Sequence, residues 1–286
     1  MKAFRDSFHY LSCAVLLCFF CMALEARCAD DSPPLPQQQG QSMSPAALFA
    51  AMLVDAEKGN IGAMLNLGLL YEQGIGTYKN FSKTLEWSEK AAAAGSSEGY
   101  FRLGSCHEIG VGTPSDLKKA VANYEQAISL GSDRAMHKLA SLYFTGRGVD
   151  KDETKGFELL SKASDSGNTT ASSELAYIYL NGLFNQNKDT AKAKALFTKS
   201  AEGGNLEAIK NLAVMFKDGI GQKPDPAEAL RWYLIAQKGG LQAPDLPSLI
   251  ADIKKQLKPS AVKNIEAEAD KWIADLKKKQ QQTSTQ

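Results

Sequence analysis

Apolar and polar residues alternate along this chain with the rhythm of an α-helix, and the rhythm itself recurs. A leucine followed by a small residue, with a ring side chain four positions after the leucine, appears five times: Leu67-Gly68 with Tyr71, Leu103-Gly104 with His107, Leu139-Ala140 with Tyr143, Leu175-Ala176 with Tyr179, and Leu212-Ala213 with Phe216. Spacings of i, i+1 and i+4 place these residues on one side of a helix, where the small residue lets a second helix approach closely. A second series supplies that helix. Trp87, Tyr124, Leu159, Phe197 and the pair Trp232-Tyr233 each precede a small residue, at Ala91, Ala127, Ala163, Ser200 and Ala236. The pattern predicts two helices per unit.

Glycines and capping residues punctuate the units. One glycine series, Gly74, Gly110, Gly146, Gly182 and Gly219, has spacings of 36, 36, 36 and 37. It is suited to the left-handed C-cap that ends each first helix. A second series runs Gly59, Gly95, Gly131, Gly167, Gly204 and Gly240, with its one spacing of 37 at the same place, so a single residue is inserted between Gly182 and Gly204. Asn80, Asp116, Asp152, Asp189 and Asp225 recur in step and can cap the second helices, with Pro226 at the first helical position of the last one. Repeats of this length decide the fold. The fold class is all-α: a solenoid over residues 46–240, built of five helix pairs at about 60–95, 96–131, 132–167, 168–204 and 205–240. No unit can bury its apolar face alone, and stacking does so. Phe184 fills the place of the second loop glycine in the fourth unit, so Gly148 is expected to accept a side chain more readily than Gly146.

Both ends of the array carry helical caps. Pro45 to Lys58 reads as a lone second helix ahead of the first full unit. After Gly240 the pattern breaks at Pro244 and Pro247, and residues 241–279 form the C-terminal cap. Its helices are Leu246–Leu257 and Ser260–Lys279, the latter with Val262, Ile265, Ala269, Trp272, Ile273 and Leu276 on one face. Residues 280–286 read as a disordered tail, and the polar, Pro- and Gln-rich stretch 30–45 as a flexible linker.

The segments NLGLLYEQGIG, RLGSCHEIGVG, KLASLYFTGRG, ELAYIYLNG and NLAVMFKDGIG, continued by TLEWSEKAAAAG, AVANYEQAISLG and ALRWYLIAQKGG, resemble Sel-1-like repeats, relatives of the tetratricopeptide repeat. LKPSAVKNIEAEADKW also resembles the closing helix of many bacterial members. Two departures stand out. The fourth unit lacks the second loop glycine, and the chain lacks the paired cysteines of the disulfide-rich branch. The resemblance implies an α-solenoid adaptor for protein–protein interaction and names no partner.

Lys2 and Arg5 precede an apolar run from Leu11 to Leu24, too short to span a bilayer comfortably. It matches the core of an export signal, residues 1–29, with cleavage expected between Ala26 and Ala29. An uncleaved anchor is the main alternative. The expected location is therefore periplasmic or secreted, with no stable membrane insertion once the leader is removed. Of Cys13, Cys18, Cys21, Cys28 and Cys106, only Cys106 lies beyond that leader, which leaves no internal disulfide framework. A composition of 44% hydrophobic, 8% aromatic and 23% charged residues excludes a mostly disordered or collagen-like chain. The formal charge of +1 gives no reason to expect a nucleic-acid binder.

Chemistry-bearing patterns are few. The Gly-x-Gly loops have no preceding strand and no following Lys-Ser/Thr, so they read as interhelix turns. Cys106 and His107 are adjacent on a helix and point about 100° apart, which suits core positions better than a nucleophile and its base. No metal site and no cofactor is expected, since His107 and His137 stand alone. The C-terminal lysines, Lys254 to Lys279, read as a solvated face, with attraction to anionic lipid or envelope polymers as the functional alternative. In stacked helix pairs the first helices line the concave side. Counting from the core leucines turns Leu65, Asn66, Leu69, Phe101, Arg102, His137, Lys138, Tyr177, Lys210 and Asn211 toward it. Phe101, Arg102, His137, Lys138, Tyr177, Lys210 and Asn211 are the expected partner-binding groove. The expected function is an exported scaffold that binds another protein or peptide segment and is not an enzyme. The alternatives are an envelope hydrolase acting on cell-wall material and a secreted factor that engages a host protein.

Overall fold

The computed structural model describes residues 43–283. The leader and most of the linker lie outside these residues, as do the last three. Thirteen α-helices and no strand occur among the described residues. A lone helix α1 (Pro45–Glu57) comes first. Five pairs follow: α2 (Ile61–Gln73) with α3 (Phe81–Ala93), α4 (Ser97–Ile109) with α5 (Leu117–Ser129), α6 (Asp133–Thr145) with α7 (Glu153–Asp165), α8 (Thr169–Asn181) with α9 (Thr190–Glu202), and α10 (Leu206–Asp218) with α11 (Pro226–Lys238). The chain closes with α12 (Leu246–Lys254) and α13 (Pro259–Thr283). From α1 to α11 each helix packs on the next one in sequence, and both α12 and α13 pack on α11.

The helix ends follow the repeating punctuation. Asn80, Asp116, Asp152, Asp189 and Asp225 each accept a backbone N–H in the first turn of the following second helix. Gly74, Gly110, Gly146, Gly182 and Gly219 adopt the left-handed conformation at the C-caps of the first helices. A third series completes the set. Asn60, Ser96, Ser132, Asn168 and Asn205 cap the first helices through their side chains. The same period runs through them in the sequence.

The second loop glycine is the tighter of the two, against expectation. A Cβ on Gly148 would stand 2.7 Å from Leu117 Cβ and 3.0 Å from the Leu117 carbonyl oxygen, whereas one on Gly146 would meet Lys151 Cβ at 3.2 Å. The same nesting places Gly76 against Pro45 and Gly112 against Phe81. Each loop is thereby seated on the start of the preceding second helix, and this sets the stacking of one unit on the last. Phe184 is no precedent for a side chain at Gly148. The inserted residue lengthens the loop to Gly182–Asp189, Phe184 and Asn185 both take positive φ, and the Phe184 ring stacks on Phe144 with centroids 4.1 Å apart.

Two terminal boundaries also move. Pro45 opens α1, as the reading of Pro45 to Lys58 as a helix expects and where a proline loses no hydrogen bond, and Ser44, placed in the linker, is its N-cap. α13 continues through Gln280 to Thr283, so the expected tail is helical as far as it is described; glutamine sustains a helix well, and no glycine or proline interrupts it.

Candidate functional site

The face carried by the first helices is bound together by its own charges. Glu98 on α4 accepts from Arg102 Nε at 2.8 Å one turn away, and from Arg134 Nη1 of the next unit at 2.9 Å. Arg102 also reaches back to the Leu65 carbonyl of the preceding unit at 3.4 Å. The Arg134 guanidinium lies over the Phe101 ring, 4.3 Å from its centroid. Further along, His137 Nε2 stands 3.0 Å from Glu174 Oε1 of the fourth unit. Beside Arg102, burial holds the carboxyl of Glu72 above its usual range, partly offset by the positive charges of Arg102 and Lys79.

These contacts divide the expected groove. Phe101 does not line it: the side chain is buried in the core of the second and third units, tilted against Tyr124 with centroids 5.8 Å apart. A ring at that position is large enough to fill the space between units, and burying it outweighs display to a partner. Arg102 is mostly covered and committed to Glu98, with its side chain only 14% exposed. His137 is committed to Glu174. Four of the expected residues remain presented to solvent to some degree. Tyr177 is 45% exposed. Lys210 makes only a long, exposed pair with Glu207 at 3.6 Å. Lys138 and Asn211 are half-buried. Leu65 and Asn66 are half-buried at the N-terminal end of the same face, and Leu69 is buried.

Glu98, Arg134 and Glu174 were not among the expected residues. The signal for them is the repeat period itself. Glu98 and Arg134 are 36 positions apart, one period, and His137 and Glu174 are 37 apart, one period and one residue. Residues one period apart face each other across adjacent units, so opposite charges at that spacing pair.

Cys106 is buried in step with Leu70, Leu142, Ile178 and Met215, and burial pushes its thiol up to about 11. A thiol held protonated in this way is a small apolar group and a poor nucleophile. His107 is buried in the place that the other units give to Tyr71, Tyr143, Tyr179 and Phe216. Glu108 is buried as well and accepts from Tyr124 Oη at 2.7 Å. No cluster of His, Cys, Asp and Glu among the described residues could hold a metal ion. Nor is any helix among them long and apolar enough to cross a membrane.

The family description Sel1 repeat matches the chain five times, at residues 61–96, 97–132, 133–168, 170–205 and 206–240. The chain is similar to the crystal structure of a Sel1 repeat protein from Oxalobacter formigenes, with 27% identity and a TM-score of 0.65 over 81% of this chain and 93% of that one. It also resembles in fold c5321, a protective antigen of uropathogenic Escherichia coli with an SLR fold. There the identity is 24% and the TM-score 0.60, over 80% of this chain and 49% of that one. No curated protein matches the chain.

Proposed function

This chain belongs to the Sel1 repeat family, and from that premise we propose that it is an exported scaffold that holds an extended segment of a partner protein against its third, fourth and fifth units. Sel1 repeats generally mediate protein–protein interaction, and proteins built from them are generally scaffolds without catalysis. The observation that carries the reading is the split across the first-helix face. The second unit spends its charges within itself and on Arg134 at the start of the third, whereas Lys138, Tyr177, Lys210 and Asn211 stand on the third to fifth units with polar or aromatic groups reaching solvent. Two lysines and a tyrosine suit a segment with an acidic group and an apolar side chain. The basic, apolar start of the chain supports export to the periplasm or beyond, with the leader cleaved.

The test is capture in intact cells by crosslinking, followed by pull-down with variants. Lys138→Ala combined with Lys210→Ala is expected to weaken binding about tenfold, at about 0.7 kcal/mol for each exposed ionic contact. Retention of full binding by the folded double variant refutes the reading. The C-terminal lysines are tested by Lys277, Lys278 and Lys279→Gln rather than by a stop after Leu257, because that stop strips buried Ile265, Ala269 and Ile273 from the core. Fractionation of the producing culture, with the N-terminus of the product determined, tests export and cleavage.

A further inference from the structure

α1 occupies the register of a second helix with no first helix ahead of it among the described residues. Its N-cap Ser44 stands 36 residues before Asn80, and Gly59 stands 36 before Gly95. In complete units the positions equivalent to Leu48 and Met52 meet the first helix of the same unit. Thr84 donates to the Gly68 carbonyl at 3.2 Å, and the Tyr124 ring lies against Gly104. In α1 those positions lack that cover: Leu48, Ala51 and Met52 are half-buried, and Ala47 and Asp55 are exposed. Asp55 stands where Ala91, Ala127, Ala163, Ser200 and Ala236 are each 0% exposed.

The other side of α1 is apolar too. Ala46, Ala50 and Val54 are exposed where α3 places Ser82, Glu86 and Lys90 and α7 places Thr154, Glu158 and Lys162. The helix carries no charge before Asp55. A helix that is hydrophobic all round is built to be covered.

We infer that α1 is covered by α1 of a second copy of this chain, packed antiparallel about a two-fold axis near Ala51. Three features point to that occupant. Within a unit, short loops make the first and second helices antiparallel, so the vacant place calls for an antiparallel helix, which is the orientation a two-fold axis supplies. Charge agrees. α1 has no acidic residue in its first turn, while Asp55 and Glu57 lie at its C-terminal end, against its own helix dipole. With Ala51 on the axis, Asp55 falls opposite Ala47 of the partner copy, at the positive end of that copy's helix, and the match occurs twice. Closure agrees as well. The far end is covered by α12 and α13, so among the described residues one open end remains and the pair closes without growing into a filament.

The contact involves helices about 20 Å long. A weak, concentration-dependent dimer follows, with a dissociation constant on the order of 10 µM, at the small end of specific interfaces. Sedimentation velocity of the purified chain over a concentration series reads it directly. Ala51→Arg, which brings two guanidinium groups together at the axis, is expected to leave a monomer with unchanged helix content. If that variant does not fold, Asp55→Lys at an exposed position is expected to weaken the dimer about fivefold. A monomer at every concentration overturns the inference, as does a dimer indifferent to both substitutions, or one broken equally by Tyr177→Arg. A monomer whose α1 resists hydrogen exchange independently of concentration assigns the cover to residues 1–42 and overturns it too.

Discussion

The two ends of the solenoid start from the same kind of helix and are finished differently. α11, the last second helix, is enclosed on all sides but one. Leu230 and Ile235 are fully buried, Trp232 meets Trp272 edge to face with centroids 6.0 Å apart, and Lys238 pairs with Asp270. Ile265, Ala269 and Ile273 of α13 complete that core, and Lys254 ties α12 to α13 through Glu266 at 2.6 Å. α1, the first helix, buries only Ala56. A stacked array has two exposed interfaces by construction. Here one is sealed by a helix from the same chain, and among the described residues the other is an apolar surface on a helix held by the nesting of Gly76 on Pro45. Stability should therefore be graded along the array, highest at the C-terminal end.

Substitutions can break that gradient from either side. The largest effect is expected from Ala269→Arg, which forces a charge into a site that is 0% exposed. Chemical denaturation should show a loss of about 4 kcal/mol, in the range seen for an unpaired buried charge. The same change at half-buried Ala51 should cost the isolated chain far less. Next comes Gly76→Ala. Its Cβ would stand 2.1 Å from the Pro45 carbonyl oxygen, a backbone atom that cannot turn aside, at a φ of +71°. A loss of about 2–3 kcal/mol is expected, with hydrogen exchange accelerated in α1 before any other helix. Gly240→Ala, at the different turn that follows α11, meets no atom within 4 Å and should cost only the backbone strain of about 1 kcal/mol.

Alkaline pH should act on the sealed end. Burial, helped by Asp218 and Asp245, pushes the Tyr233 phenol up to about 12 from 10. The folded state thus keeps its proton where the unfolded chain loses it. The corresponding stability is complete below pH 10 and falls as pH rises toward 12. Tyr233→Phe should flatten that part of the profile; an unchanged profile refutes the assignment. The smallest effect, about 1 kcal/mol, is expected from Cys106→Ala in the middle of the array, with partner binding intact. Lost binding at normal stability would give the thiol a role that its burial denies.

The chain determined by itself the number of units, the cap of every second helix and the left-handed glycine after every first one. These are local choices. A helix of 13 residues is ended by groups within a few positions of it, so a repeat of 36 residues displays them openly. Leu67, Tyr124 and Phe197 were legible as core for the same reason. The face was less legible, because which side of a first helix meets solvent depends on residues one period away. His137 reads as a cation awaiting a partner until Glu174 is brought beside it, Glu98 pairs with Arg102 on its own helix but takes Arg134 from the next unit, and Phe101 reads as a groove residue until Tyr124 and Arg134 enclose it. The tolerance expected of Gly148 failed in the same way, since its constraint is the Leu117 backbone of the preceding second helix. Helix formation and termination are settled by neighbours in sequence; the pairing of charges between units, the burial of a ring and the space at a turn are settled only when the units stack.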